Sequence, residues 1–168
     1  MTGVEHTDTA DARHLALPPL GGMHHIKFAV SDVDASLRFY TDVFGAQRIA
    51  RADHVDADGR VYAYICEMPG LGTLLDLRLE PSHAASARTF DPVTLNIPHR
   101  AALREWVAHC DRLGVRHSGE IVTALAFMLV IEDPDGRRIR LYTQEKHGPE
   151  LEGARDHPWM RLEPLPAA

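Results

Sequence analysis

Residues 22–45 read GMHHIKFAVSDVDASLRFYTDVFG and combine the signals of a β-strand, a turn and an amphipathic helix. His25 and Lys27 alternate with apolar neighbours, which is the two-residue period of a strand. Segment 31–34 carries the serine and aspartates typical of a helix N-cap, and apolar residues then recur at helical spacing until Gly45 ends the helix. The stretch therefore predicts a βα unit in which one strand face lies under the helix and the other can meet a ligand.

The second half of the chain repeats this order. Residues 92–97 (PVTLNI) predict a short strand, and residues 100–114 (RAALREWVAHCDRLG) predict a second amphipathic helix that also ends in glycine. β-rich segments follow both helices, so the chain is interpreted as βαβββ followed by βαβββ, offset by about 64–69 residues. This duplication predicts an α+β fold in which two modules, from one chain or from two, form a curved, mostly antiparallel eight-stranded sheet around a cleft, with the helices outside.

The predicted domain organisation has four parts: an N-terminal tail, two modules and a C-terminal tail, at residues 1–21, 22–81, 90–146 and 147–168. The two modules together form one domain over residues 22–146. Small residues at 81–88 (PSHAASAR) predict a loop between the modules. Both tails are polar, and we expect the first to be flexible. In the second, Trp159 is a candidate for docking on the domain.

Composition narrows the class of protein. The chain has 168 residues, 45% of them hydrophobic, with a formal net charge of −6. The absence of a basic surplus argues against a nucleic-acid partner, and no apolar run is long enough to cross a bilayer. The N-terminal residues lack the apolar segment of a secretory signal, so we expect a cytoplasmic protein without a membrane partner. Cys66 and Cys110 lie within predicted regular elements, which indicates buried reduced thiols.

Strand alternation also predicts which side chains line the cleft. They are His25, Lys27, Ala29, Tyr62, Tyr64, Cys66, Leu74, Asp76, Arg78, Glu80, Pro92, Thr94, Asn96, Arg138, Arg140 and Tyr142. Those expected to contact a ligand are Lys27, Tyr64, Arg78, Asn96 and Tyr142. The segment 126–131 is apolar on both faces, and its register stays open. The predicted lining is polar and rich in cations, which favours a small polar or anionic organic ligand.

The sequence resembles the vicinal oxygen chelate superfamily, the group of glyoxalases, bleomycin-resistance proteins and extradiol dioxygenases, over about residues 23–146. The resemblance rests on HHIKFAVSDVDASLRFYTDVFG (24–45), LLDLRLE (74–80), the second βα start, and IEDPDGRRIRLYTQE (131–145). It implies a cleft that holds a divalent Zn, Ni, Mn or Fe ion in the metal-dependent members, bound by histidines and carboxylates from the first and last strand of each half. It also implies a homodimer.

The family's ligand positions are only partly matched here. The first-strand ligand falls on His25, and the first carboxylate falls on Asp76. The second histidine position falls on Pro92, which has no donor, and the last carboxylate position falls on Arg140, a cation. We therefore expect no metal cofactor, and we expect Asp76 and Arg140 to pair across the cleft floor beside His25. If a metal is bound, His25 and Asp76 are its expected ligands.

Three functions remain open from the sequence. The first is binding or sequestration of a small molecule, as in the drug-binding members of the family. The second is metal-free isomerase, cyclase or lyase chemistry, with His25 as general base oriented by Asp76 and Arg140 stabilising an oxyanion. The third is a divalent-metal-dependent, glyoxalase-like lyase or dioxygenase with an atypical ligand set.

Overall fold

The computed structural model describes residues 18–161 and confirms the α+β fold class. The predicted flexible N-terminal tail lies almost entirely outside the described residues. In chain order the elements are β1 (His25–Val30), α1 (Val33–Phe44), β2 (Gln47–Arg48), β3 (His54–Val55), β4 (Val61–Glu67), β5 (Leu74–Leu79), α2 (Pro81–Ser86), β6 (Val93–Ile97), α3 (Arg100–Leu113), β7 (Ile121–Val122), β8 (Ala126–Glu132) and β9 (Arg138–Lys146), with 3-10 turns at Ala50–Ala52 and Pro158–Met160.

The strands form two sheets, one for each predicted module. The first sheet has the order β1-β5-β4-β2, with β3 also paired to β4, and the second has the order β6-β9-β8-β7. Strands β1 and β5 are parallel, as are β6 and β9, and the other pairs are antiparallel. Within the described residues no strand of one sheet pairs with a strand of the other. Consequently β1 and β6 are both edge strands.

Helix α1 forms where the sequence places its start and stop signals. The Asp32 side chain accepts hydrogen bonds from the backbone N–H groups of Asp34 and Ala35, both at 2.9 Å. Gly45 ends the helix with a φ of 70°, a left-handed conformation that glycine adopts without a side-chain clash. Helix α3 ends in the same way at Gly114. The repeated caps give the two modules the same local architecture.

One hydrophobic core joins the modules through their helices. It contains Phe28 and Leu77 from the first sheet and Leu129 from the second, together with residues of both helices. The rings of Phe44 in α1 and Trp106 in α3 lie 5.7 Å apart. Because the helix-covered faces of both sheets share this core, the opposite faces point away from it, toward two sides of the chain.

A buried polar cluster also connects the modules. The Tyr40 hydroxyl of α1 donates to Asp133 Oδ2 at 2.9 Å, and Arg137 Nη1 donates to the same oxygen at 2.7 Å. Arg137 Nη2 donates in addition to the backbone carbonyl of Ala29 in β1. Burial raises the pKa of the Asp133 carboxyl, and the Arg137 guanidinium opposes that rise. The connection between β8 and β9 (residues 133–137) is therefore anchored to the first module.

The predicted loop at residues 81–88 is wrong in part, because it contains helix α2 (Pro81–Ser86). Proline is accepted in a first helical turn, where its missing N–H is not needed, and Ala84 and Ala85 favour the helical state. None of the helices found between residues 18 and 161 is both long enough and apolar enough to span a bilayer.

Candidate functional site

The outward face of the first sheet carries most of the predicted site residues. Lys27 of β1 lies opposite Asp76 of β5, and Ala29 lies opposite Arg78. On the other side of β5, strand β4 places Ala63 beside Arg78. Residues directly opposite in a sheet share a face, so this register puts Lys27, Asp76 and Arg78 together.

Asp76 is the centre of this face. Its side chain is 1% exposed, and its Oδ2 lies 3.6 Å from Lys27 Nζ and 3.4 Å from Arg78 Nη2. Its Oδ1 is buried and has no hydrogen-bond partner within the described residues. One carboxylate between two cations leaves the cluster with a net positive charge, and Lys27 and Arg78 present that charge to solvent with 45% and 24% of their side-chain surface.

His54 and Tyr62 complete the face. Arg78 Nη2 donates to His54 Nδ1 at 3.0 Å, and the Arg78 guanidinium carbon lies 5.3 Å from the centre of the Tyr62 ring. Strand alternation predicts Tyr62 on this face, but it does not predict His54 there. Strand β3 is only two residues long, so it carries no alternation that could assign a face to His54.

His25 shares the strand of Lys27 but not its contacts. Its register partner is Leu74, two residues before Asp76, and its Nδ1 lies 3.0 Å from Nδ1 of His24. The polar contacts of Asp76 are instead with Lys27 and Arg78. The structure therefore does not bring His25 into the predicted dyad with Asp76, and His25 remains an exposed imidazole at the end of the strand.

The prediction that Tyr64 faces the cleft is wrong. Tyr64 is buried, its hydroxyl donates to Asp34 Oδ1 of α1 at 2.7 Å, and the guanidinium carbon of Arg48 lies 4.0 Å from its ring centre. Cys66 likewise lies in the core under the helices. Both alternating sets of β4, VYAYICE, are largely apolar or aromatic, so the sequence pattern could not decide which set faces the helix.

The outward face of the second sheet carries Asn96 and Arg140. Cross-strand register places Asn96 opposite Tyr142 and Thr94 opposite Arg140, and Asn96 is exposed. The Arg140 guanidinium forms an ion pair with Asp91, which precedes β6. The predicted ion pair between Arg140 and Asp76 is not formed within the chain, because the two outward faces lie on different sides of the shared core.

The rest of this second face is covered by residues 148–161, here termed the C-terminal strap. Three buried side chains of the sheet, Ile121, Met128 and Val130, form a second apolar cluster with Ala154, Trp159 and Met160 of the strap. Tyr142 packs against the same cluster, and its hydroxyl lies 2.6 Å from Thr123 Oγ1. Tyr142 is therefore covered rather than open to a ligand in this conformation.

Arg138 lies at the edge of the strap-covered cluster and is 1% exposed. Its Nη1 donates to the backbone carbonyls of Trp159, at 3.2 Å, and of Arg161. Burial lowers the pKa of its guanidinium. This predicted cleft residue thus binds the chain's own backbone.

The two cysteines do not offer a nucleophile. Burial raises the pKa of the Cys66 thiol and of the Cys110 thiol to about 11. Thiols with such values are protonated at neutral pH and unreactive. Both thiols are free, as expected from the sequence.

The residues at the family's ligand positions do not suit a divalent ion within one chain. Asp76 Oδ2 already faces two cations, and Arg140 occupies a carboxylate position. Over residues 18–161, no three side chains of His, Cys, Asp or Glu come together as a metal-binding group. A bound cation would have to compete with Lys27 and Arg78 for the Asp76 carboxylate.

The fold agrees with a sequence comparison. A family model described as Glyoxalase/Bleomycin resistance protein/Dioxygenase superfamily matches residues 22–141. The chain belongs to this superfamily. The match confirms the vicinal oxygen chelate resemblance, and it ends before the C-terminal strap begins.

Solved structures of the superfamily fold are similar to the chain. A point mutant of FosX, a fosfomycin resistance protein of Listeria monocytogenes complexed with Mn(II) and 1S,2S-dihydroxypropylphosphonic acid, is 18% identical, with 74% of this chain and 93% of that chain covered and a TM-score of 0.60. Lactoylglutathione lyase of Agrobacterium tumefaciens is 17% identical, with coverage of 76% and 96% and a TM-score of 0.55. TnmS3, an antibiotic-binding protein of Streptomyces sp. CB03234, is 21% identical, with coverage of 77% and 98% and a TM-score of 0.56.

Proposed function

We propose that this superfamily member binds and sequesters a small anionic organic molecule on the outward face of its first sheet, without a divalent metal. The observation that carries the proposal is the position of Asp76. At the place where metal-dependent relatives have a carboxylate ligand, this carboxylate is buried between Lys27 and Arg78. The cations take the role of the metal ion as the positive charge of the site.

The chemistry of the face suits an anion. The Arg78 guanidinium is a planar donor that matches carboxylate, phosphate and phosphonate oxygens, and Lys27 adds a second positive charge at the rim. Asp76 holds both cations in place.

Binding is better supported than acid–base catalysis. A general base needs an orienting partner, and the contacts of His25 and Asp76 do not join them. The structurally similar proteins include one described as antibiotic-binding and one solved with a dihydroxypropylphosphonic acid. These support a role in binding or resistance for this chain, with a carboxylate or phosphonate as the class of ligand.

A second copy of the chain is proposed to complete the cleft. Strands β1 and β6 are edge strands, and the outward faces of one chain point to different sides. Pairing β1 of one copy with β6 of another would extend each sheet and place Arg140 and Asn96 beside the face of Asp76. The partner copy thus contributes residues to the site.

The test is an anion screen on protein dialysed against EDTA. Simple carboxylates, phosphonates and 1,2-dihydroxypropylphosphonic acid are added at millimolar concentration, and the unfolding temperature is followed, since a ligand of the native state raises it. At least one anion should stabilise the protein. Arg78→Gln should abolish that stabilisation, whereas Arg38→Gln, the same change on the exposed side of α1, should not.

Two results would contradict the proposed function. One is stabilisation by anions only after Mn(II), Zn(II), Ni(II) or Fe(II) is restored, which would make the site metal-dependent. The other is equal stabilisation of the Arg78→Gln and Arg38→Gln variants, which would place anion binding elsewhere on the protein.

A further inference from the structure

The C-terminal strap lies on the second outward face through a small number of defined contacts. The Ala154 N–H, in the middle of the strap, donates to the carbonyl of Val122 in β7 at 2.8 Å. His147 Nε2 lies 2.8 Å from the carbonyl oxygen of Thr123 and fixes the point where the strap leaves β9. The strap then crosses the face to the 3-10 turn at Pro158–Met160.

Trp159 is the part of the strap that meets the charged groups of the face. The guanidinium carbon of Arg116 lies 5.6 Å from its ring centre, and that of Arg138 lies 5.5 Å away. Met128 and Val130 belong to the apolar cluster against which Trp159 packs. A flat aromatic ring therefore contacts two guanidinium groups and an apolar surface at once, an arrangement stabilised by cation–π attraction.

Backbone carbonyl oxygens of the strap bind next to the Trp159 ring. Arg138 Nη1 donates to the backbone carbonyls of Trp159 and Arg161. Arg140 and Tyr142 follow Arg138 at two-residue spacing on the same face of β9. The face thus accepts a planar ring together with oxygen acceptors that bind a buried guanidinium.

We propose that this second face is a binding site for planar aromatic compounds that bear a carboxylate or a similar oxygen acid, and that the strap closes the site by placing Trp159 in it. The inference goes beyond the proposed function, because it assigns a second ligand site on the other outward face, with Arg138 instead of Arg78 as the group that binds the acid. The ring of the ligand replaces the indole, and its acid oxygens replace the two backbone carbonyls on Arg138. Binding of such a ligand requires release of the strap.

Gly153 provides a substitution that releases the strap and leaves the face unchanged. A Cβ at this position would overlap the backbone carbonyl of Thr123, whose oxygen also lies 2.8 Å from His147 Nε2. Gly153→Ala should therefore undock the strap. Gly148→Ala is the matched control, because the three atoms nearest to a Cβ there all belong to the flexible side chain of Glu150.

Strap release can be read from Trp159 itself. The chain contains two tryptophans, so Trp106→Phe leaves Trp159 as the only one. In that background Gly153→Ala should shift tryptophan emission to longer wavelength as the indole enters water, and Gly148→Ala should not. A chain ending at His147 removes the strap completely and serves as the second strap-free protein.

The binding test uses 2-naphthoate as an aromatic acid and cyclohexanecarboxylate as its non-aromatic counterpart, titrated by calorimetry. If the docked strap leaves the site open in about a tenth of the molecules, Gly153→Ala should bind 2-naphthoate about ten-fold more tightly than the unaltered chain or Gly148→Ala. The chain ending at His147 should match Gly153→Ala. Cyclohexanecarboxylate should bind the strap-free proteins more weakly than 2-naphthoate does.

The inference is overturned if both strap-free proteins bind 2-naphthoate no more tightly than the unaltered chain, or if they bind the two acids equally. Weaker binding after strap removal would make the strap a wall of the site, which also contradicts its role as a competitor. None of these results affects the anion binding assigned to Arg78, whose loss in the Arg78→Gln screen is measured separately.

Discussion

Asp76 is nearly inaccessible to solvent, yet both of its cationic neighbours are partly exposed. The two neighbouring cations compensate the charge of a carboxylate that is buried in the first sheet. Both cations lie close to the same oxygen, Asp76 Oδ2, and are therefore close to each other. The residue acts on a ligand mainly by holding Lys27 and Arg78.

Individual residues of this face could be predicted where the strand pattern is unambiguous. In β5, LLDLRL, every second residue from Leu75 onward is a leucine, and Asp76 and Arg78 lie between these leucines. The two charged residues are therefore predicted from the sequence to share the opposite face. Tyr64 could not be placed in this way, because its strand is apolar at both parities and a tyrosine can satisfy its hydroxyl on Asp34 beneath the helix. The partners of Arg140 and His25 depend on tertiary contacts that alternation does not describe.

A prediction at this scale concerns Tyr40, which is buried and donates to Asp133 at 2.9 Å. Tyr40→Phe removes one hydrogen bond to a buried carboxylate that links the modules, while Arg137 still pairs with it. The free energy of unfolding, measured by urea titration, should fall by about 1–3 kcal/mol. Tyr62→Phe, on the half-buried outward face, should change it by no more than about 0.5 kcal/mol. Equal losses in the two variants would show that the Tyr40 hydroxyl has no special role.

At the scale of elements, capped and periodic segments were predictable and short or covered ones were not. Helices α1 and α3 have clear caps and apolar stripes, so their bounds follow from local chemistry. Strands β2, β3 and β7 are two residues each, too short for any period to appear. Helix α2 spans only six residues, and its sequence of small residues is equally typical of a loop.

The docking site of the C-terminal strap could not be predicted from the sequence either. The sequence identifies Trp159 as a docking candidate, but the face that receives it belongs to the apolar segment 126–131, whose register alternation leaves open. Strand β8 is apolar on both faces because both faces are covered. One set packs under α3, and the other set, Met128 and Val130, packs under the strap.

The whole molecule presents two outward faces from one shared core. The duplication in the sequence predicts one sheet with one open face for each module. It does not determine whether the two faces meet within one chain or between two chains. The helix-to-helix core keeps them apart within a chain. This arrangement is the reason for proposing a cleft shared between two copies.

Mixing two variants tests the shared cleft. Arg78→Gln and Arg140→Gln change opposite faces, so each variant alone should lack complete sites. When the two chains are unfolded and refolded together, about half of the dimers should be mixed, and each mixed dimer should have one intact site. About one quarter of the anion-binding sites should then return in calorimetry. Refolding each variant alone is the control, and failure of the mixture to regain sites would contradict a cleft shared in this way.

The most direct test of the central claim is the metal content of the purified protein, measured by inductively coupled plasma mass spectrometry before any chelator is added. The arrangement of Lys27, Asp76 and Arg78 predicts much less than one equivalent of Zn, Ni, Mn or Fe per chain, and the same anion affinity before and after EDTA treatment. One tightly held ion per chain, lost together with anion binding on substitution of His25 or Asp76, would contradict the account.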